Sequence, residues 1–369
     1  MKIIVVIGTR PEAIKMAPVV LALRKNSKNN IILCASGQHK EMLDIVLTDF
    51  GLRPDIYLSA PPPAPNLTIL TAHLLQGISP MLEREMPDWL LVQGDTSTVM
   101  AAALAAFYLK IKVGHVEAGL RSFDKFFPFP EEMNRKMTTV LADLHFAPTE
   151  TARQNLVTEG ISSKIIHVTG NTVVDALYYI RDRIEGQLEI LPVTVRAEEA
   201  KGQRLVLVTC HRRENFGEPL INICKAVAEL ADQYQDHSFI WPVHMNPNVQ
   251  PVVYNMFLSS KNVVLLPPLS YESLLAVLMR SRLVLSDSGG IQEEAPSFGV
   301  PVLVLRDTTE RPEGVAAGAA ILVGADIRRI YEEATVILDD HPSQHRVSIN
   351  PYGDGNAGER IAQLLTDNN

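Results

Sequence analysis

The sequence predicts an α/β chain built as two Rossmann-like, doubly wound parallel-sheet domains that face one another across a cleft. Three observations carry this. Short apolar runs of buried-strand length alternate with amphipathic helical segments. The alternation stops once, over a charged stretch, and then starts again. The polar motifs fall at the carboxyl ends of the apolar runs, where open α/β sheets bind ligands. A length of 369 residues leaves room for two domains of ordinary size.

In chain order, the first set of strands is expected at KIIVVIG (2–8), NIILCAS (30–36), WLLVQGD (89–95), KVGHVEAG (112–119) and LHFAPT (144–149). None shows the in–out alternation of a half-solvated strand, so each reads as covered on both faces. The apolar stretch 99–113 breaks at Lys110 and Lys112, which makes it a buried helix followed by a strand rather than a membrane span. Residues 178–203 are charged and read as a helix followed by a linker. The second set is expected at LVLVTC (205–210), SFIWPV (238–243), VVLLPP (263–268), LVLSDS (283–288) and VPVLVL (300–305). The domains are placed at 1–175 and 200–350, with 351–369 a terminal helix that crosses back to the first domain. The two halves echo each other: in both, a strand ends in Asp followed by Ser or Thr, and a helix follows.

Composition excludes several classes of function. The net charge is −8, which argues against a nucleic-acid surface, since that needs a basic stripe. Only Cys34, Cys210 and Cys224 are present, with no CxxC pair, so a disulfide framework or structural zinc is not expected and a reducing, cytoplasmic setting fits. No GxGxxG follows a strand and no GxxxxGK[ST] occurs, which disfavours a bound dinucleotide and a P-loop. No metal site and no cofactor are expected.

In the second half, DSGGIQEEAP (287–296) places Ser288, Gly289 and Gly290 at a helix start, where free N–H groups and the helix dipole favour an anion. Glycines there let a phosphate approach the backbone. Glu293 and Glu294, one turn on, suit the hydroxyls of a ribose; the alternative is a capped helix with two solvated acids. In TCHRREN (209–215), His211, Arg212 and Arg213 crowd one strand end, as a diphosphate site or as a basic loop paired with Glu214.

The first half supplies acids. Asp95 and Glu117 end expected neighbouring strands, and FPEEMNR gives Glu131, Glu132 and Arg135. Clustered carboxylates push one another's pKa values apart and so furnish an acid and a base; the alternative is structural pairing with Arg10, Lys15, Arg121 or Arg135. GTRPEAIKMAPV (8–19) carries cations where a phosphate loop would have bare backbone. Pro11 suits a helix start, and Glu12 reads as a helix-start acid or the partner of a neighbouring cation.

These motifs, with SGQH, PVHMNP and PVLVLRDTTERPEG, run in order from residue 8 to about 318, and the chain resembles the non-hydrolysing UDP-N-acetylglucosamine 2-epimerases. The resemblance implies a GT-B-type fold, a homodimer, and interconversion of UDP-N-acetylglucosamine and UDP-N-acetylmannosamine by loss and re-addition of UDP through a 2-acetamidoglucal. By motif position it implies Asp95, Glu117 and Glu131 as proton-transfer groups and His211 beside the leaving diphosphate. Arg10, Lys15 and Arg135 would line the sugar and phosphate side. Ser288, Gly289, Gly290 and Glu294 would hold phosphate and ribose, with Arg311 completing the cluster. Leu274 takes a position that often carries Phe near the uracil. Gln38, His39, Glu132, Arg212 and His244 sit where a second, regulatory UDP-N-acetylglucosamine would bind. The segment APPPAPNLTILTAHLL (60–75) departs there from the family's Gly-Gln turn and following arginine. A hydrolysing 2-epimerase and a GT-B glycosyltransferase share the architecture and remain alternatives at this stage.

Overall fold

The computed structural model describes residues 1–37, 40–63, 65–339 and 350–368. The chain divides into two compact units, Met1–Ile180 with Tyr352–Asn369, and Arg181–Pro351.

The first unit contains β1 (Lys2–Ile7), α1 (Arg10–Lys25), β2 (Asn30–Ala35), α2 (Lys40–Asp49), β3 (Ile56–Tyr57), α3 (Leu67–Glu85), β4 (Trp89–Gln93), α4 (Ser97–Tyr108), β5 (Lys112–Val116), α5 (Glu131–Leu141), β6 (Leu144–Ala147), α6 (Glu150–Thr158), β7 (Ile166–Val168) and most of α7 (Thr172–Ile184). The sheet is parallel throughout, in the order β3-β2-β1-β4-β5-β6-β7. Chain direction across the sheet reverses between β1 and β4, so their carboxyl ends open a crevice beside Gly8 and Gly94.

The second unit contains α8 (Val193–Ala200), β8 (Arg204–Thr209), α9 (Glu218–Gln233), β9 (His237–Pro242), α10 (Gln250–Phe257), β10 (Val263–Leu266), α11 (Tyr271–Arg280), β11 (Ser281–Ser286), α12 (Gly289–Glu294), β12 (Val302–Val304), α13 (Pro312–Ala316), β13 (Ala320–Leu322) and α14 (Ile327–Asp339). Its parallel sheet runs β10-β9-β8-β11-β12-β13, with the reversal between β8 and β11. The last helix, α15 (Ala357–Asp367), belongs to the first unit. It packs on α1, where Gly358 lies so close to Pro18 that a Cβ would stand 3.0 Å from the Pro18 carbonyl oxygen.

The ten expected strands are all present, because a run of β-branched and aliphatic residues covered on both faces is a local signal. Their ends are shorter: β5 stops at Val116, so Glu117 lies in the turn beyond it. Three short strands, β3, β7 and β13, lie outside the sequence expectation. Two or three residues cannot show a period, and these pair only at the flanks of each sheet. The expected linker within 178–203 is not bare: α8 and a 3₁₀ turn at Leu188–Ile190 occupy it, anchored by buried Leu191 and Val195. An amphipathic helix with so few apolar anchors is masked by its charges.

Each sheet buries its own core. Trp89, Phe146 and the Ile3–Ile7 run are buried in the first unit, and Trp241, Phe239 and the Val206–Val208 run in the second. No helix among the described residues is long and apolar enough to cross a membrane.

Candidate active site

In the first unit the site grows from three neighbouring strand ends. After β1 the chain turns at Gly8 and Thr9 into α1, and Glu12 folds back so that one carboxylate oxygen, Oε2, accepts from the N–H groups of both Gly8 and Thr9. This covers helix-start donors that would otherwise lack partners. Glu12 therefore acts on the backbone rather than on a cation, and burial pushes its pKa up to about 7 against the opposing pull of those N–H groups. Three residues further, on the same face of α1, the buried Lys15 pairs with Glu117. Arg10 stands at the first position of α1, half-buried.

Glu117 follows β5 with φ +62°, in the left-handed region that a non-glycine residue rarely adopts. Such a conformation costs about 1–3 kcal/mol and persists only where its surroundings impose it. Here the neighbouring hydrogen bonds do so: Gly94 N–H donates to the Val116 carbonyl at 3.0 Å and Ala118 N–H to the Phe146 carbonyl at 3.1 Å. The Glu117 carboxylate accepts from Lys15 Nζ, from Gln93 Nε2 and from Asn171 Nδ2, the last at 3.3 Å.

Asp95 lies beyond β4, the strand beside β5, in a register that pairs Gln93 with Val116. Arg135 donates to Asp95 Oδ2 from Nε at 3.0 Å and from Nη2 at 2.7 Å, and to Glu132 Oε2 from Nη1 at 3.1 Å. Asn134 Nδ2 also donates to the Asp95 carbonyl at 2.9 Å, tying the start of α5 to the end of β4. Glu131 opens α5 one turn before these contacts, half-buried, with no hydrogen bond or ion pair among the described residues. Asp95 and Glu117 gather at adjacent strand ends, and Asp95, Glu117 and Glu132 are each paired with a cation.

In the second unit the organising group is Asp287, fully buried beyond β11. It accepts from the N–H groups of His211 and Arg212, each at 2.9 Å, from Asn215 Nδ2 at 3.0 Å and from Cys210 Sγ at 3.2 Å. His211 Nδ1 lies 3.2 Å from Asp287 Oδ1. Burial works to raise the Asp287 pKa, but these donors and the His211 ring together hold it well below the usual carboxylate range. The imidazole is thereby fixed at Nδ1, leaving Nε2 for a ligand. The His211 ring stacks on His244, centroids 5.6 Å apart.

Glu214 pairs with Arg306, which also holds Glu310 at 3.0 Å, so the bland pairing of Arg212 and Arg213 with Glu214 is not what forms. Both arginines stay exposed. Arg311 Nε donates to Glu293 Oε1 at 2.8 Å, which places Glu293 in an internal pair rather than toward a ribose. The Arg311 guanidinium also crosses over Gly289: a Cβ there would meet its Cζ at 2.9 Å. Gly289 is needed for that crossing. Gly290 has no such neighbour nearer than 3.8 Å, so nothing in its surroundings crowds a Cβ there. Ser288 takes the N-cap position of α12 without a side-chain cap, its own N–H donating to Ser286 Oγ at 3.0 Å. Glu294 accepts from Tyr271 Oη at 3.4 Å, and Leu274 sits half-buried on α11 beyond that tyrosine.

Of the residues assigned to a regulatory site, Gln38 and His39 lie outside the described residues. Glu132 is fully buried and accepts from Ser122 N–H at 3.0 Å and Phe123 N–H at 3.3 Å as well as from Arg135. Arg212 and His244 are exposed beyond β8 and β9. Sequence reasoning missed Gln93, Asn171 and Asp287. The available signal was a polar residue at the carboxyl end of an otherwise apolar strand. Among the described residues no group of three or more His, Cys, Asp or Glu side chains is placed to hold a metal ion.

Two doubly wound parallel sheets, with an acid cluster at the strand ends of one and a glycine-opened helix start beside a fixed histidine in the other, define the GT-B class of nucleotide-sugar proteins. The family model described as UDP-N-acetylglucosamine 2-epimerase matches residues 3–366, and the chain belongs to that family. It is 48% identical over 377 residues to the UDP-N-acetylglucosamine 2-epimerase of Escherichia coli K12, covering 100% of this chain and 99% of that one. A crystal structure of UDP-GlcNAc 2-epimerase from Neisseria meningitidis bound to UDP-GlcNAc superposes with TM-score 0.90 at 45% identity, covering 100% of both chains. The Methanocaldococcus jannaschii enzyme in complex with UDP-GlcNAc and UDP superposes with TM-score 0.82 at 36% identity, again over 100% of both chains.

Proposed function

We propose that this chain interconverts UDP-N-acetylglucosamine and UDP-N-acetylmannosamine without net hydrolysis. The observation that carries this reading is the division of chemistry between the units: carboxylates at the strand ends of one, an Asp287-fixed histidine beside Gly290 in the other. In the forward step a carboxylate takes the C2 proton, the C2–H electron pair forms the C1=C2 bond of 2-acetamidoglucal, and the C1–O bond breaks with its electrons leaving on UDP. Return of UDP to C1, with protonation at the opposite face of C2, gives the epimer. Asp95, Glu117 and Glu131 serve proton transfer. His211, Ser288, Gly289, Gly290 and Arg311 serve the departing diphosphate, with Glu294 at the ribose and Leu274 at the base. Lys15 and Arg135, paired with Glu117 and Asp95, support the reading in which cations of the first unit orient the acids. Arg10 lines the sugar.

Incubation with UDP-N-acetylglucosamine in D₂O, followed by proton NMR, is expected to yield the manno epimer carrying deuterium at C2. A C2 proton retained in the epimer would rule out elimination, and free N-acetylmannosamine would favour the hydrolysing reading.

The partner is a second copy of this chain. On α5, Met133, Met137 and Val140 recur at helical spacing on an exposed face, and α4, which packs on α5, ends in exposed Phe107 and Tyr108. Apolar residues grouped in this way suit a protein interface better than water. Light scattering is expected to read about twice the chain mass of 40.8 kDa, and Val140→Asp to lower it toward one chain.

A further inference from the structure

The three donors on Glu117 come from three elements: Lys15 from α1, Gln93 from the last residue of β4, and Asn171 from the turn before α7. Lys15 can only donate. Asn171 is fixed in orientation because its Oδ1 accepts from Val173 N–H at 3.1 Å, at the start of α7. Its Nδ2 therefore faces Glu117, and the amide cannot flip without losing that contact. Both of these donors meet Oε1. Gln93 donates to Oε2, and Gln93 and Asn171 are each almost fully buried.

We infer that Gln93 and Asn171 are positioning residues for the epimerisation: with Lys15 they hold Glu117 ionised and aimed at the proton it takes up. This rests on the function proposed above. A carboxylate suits three N–H donors, whereas a carboxylic acid would set its own O–H against one of them. When Glu117 takes up a proton, the Gln93 amide can turn its carbonyl to accept the new O–H, so the site tolerates both states. The other charged groups around this strand end are Asp95 with its partner Arg135, and Glu12, which lies within electrostatic range of Asp95.

The test compares Gln93→Met, of similar length without a donor, and Asn171→Asp, which keeps the acceptor for Val173 but replaces the donor with a like charge. Each is expected to lower kcat at pH 7 about tenfold or more while UDP affinity stays within about threefold. The lost turnover should return as pH rises, the acid limb moving up by about one unit. Turnover lost equally at every pH, or a profile superimposable on the parent, would overturn the inference. Infrared difference spectra against Glu117→Gln read the ionisation of Glu117 without any activity. Carboxylate bands in the parent at pH 7 and carboxylic acid bands appearing in the variants are expected even if the substrate is another nucleotide sugar. A protonated Glu117 in the parent would overturn the inference, and this spectrum stands even where a variant fails to fold.

Discussion

Glu117→Gln is expected to lower turnover by about two to four orders of magnitude while UDP affinity changes only a few-fold. Gln matches Glu in size, so the side chain still fills its place among Lys15, Gln93 and Asn171. What it loses, on the proposed mechanism, is the ability to accept the proton from C2. The substitution also removes the carboxylate that pairs with Lys15, a buried cation. Stability should therefore fall as well, on the order of 3 kcal/mol. The two effects separate cleanly. Calorimetric UDP binding reports a folded second unit, which carries the residues proposed for the diphosphate, and single-turnover kinetics report the chemistry. Turnover near the parent level would remove Glu117 from proton transfer and shift that role to Glu131, the acid with no partner among the described residues.

Stability is expected to fall as pH drops from 6 to 5, and His145→Leu to flatten that fall. His115 and His145 lie opposite each other on β5 and β6, fully buried. Burial, the largest cause, lowers their pKa values from 6.5 to about 4 and about 3. His115 Nε2 meets the Gly94 carbonyl at 2.8 Å, but neither ring nitrogen of His145 has a hydrogen-bond partner among the described residues. A histidine whose folded pKa is depressed stays neutral in the native state while the unfolded chain binds a proton. Its contribution is full above 6.5 and is lost as pH falls toward the folded value. Glu12 works in the opposite sense, since its folded pKa of about 7 lies above the usual 4.5 and it releases a proton on unfolding in the same window. Two protons taken up against one released leave a net uptake of about one, or roughly 1.4 kcal/mol per pH unit. In His145→Leu that slope should approach zero between pH 5 and 6, and removal of an unpartnered polar ring should cost little. Urea unfolding of the first unit, followed by Trp89 fluorescence, measures it. An unchanged slope would show that these imidazoles titrate alike in both states.

The strand positions and the polar ends of the strands were legible because both are local patterns. GTRPEAIK announces a helix start through Pro11 and Glu12, and the structure builds one there. Glu12 itself shows the limit. Its position in the first turn was readable, but whether it would meet a cation or the backbone depended on how deeply that turn is buried. The short strands β3, β7 and β13, and the helix α8 within the charged 178–203 stretch, escaped because their signals are too brief or too diluted by charge.

By itself the sequence determined which groups stand at strand ends: Asp95 and Glu117 in one half, His211 and Ser288 to Gly290 in the other. Strand length and turn chemistry are set by residues within a few positions of one another. Only the tertiary structure decided who partners whom. Lys15 and Glu117 are 102 residues apart, and His211 and Asp287 are 76 apart. Each pair meets because the sheet order sets β1, β4 and β5 in succession and β8 beside β11, an order fixed by crossovers that no local pattern encodes. The left-handed backbone at Glu117 is likewise a product of hydrogen bonds made by the adjoining strand ends, and it is this geometry that gives one glutamate three donors.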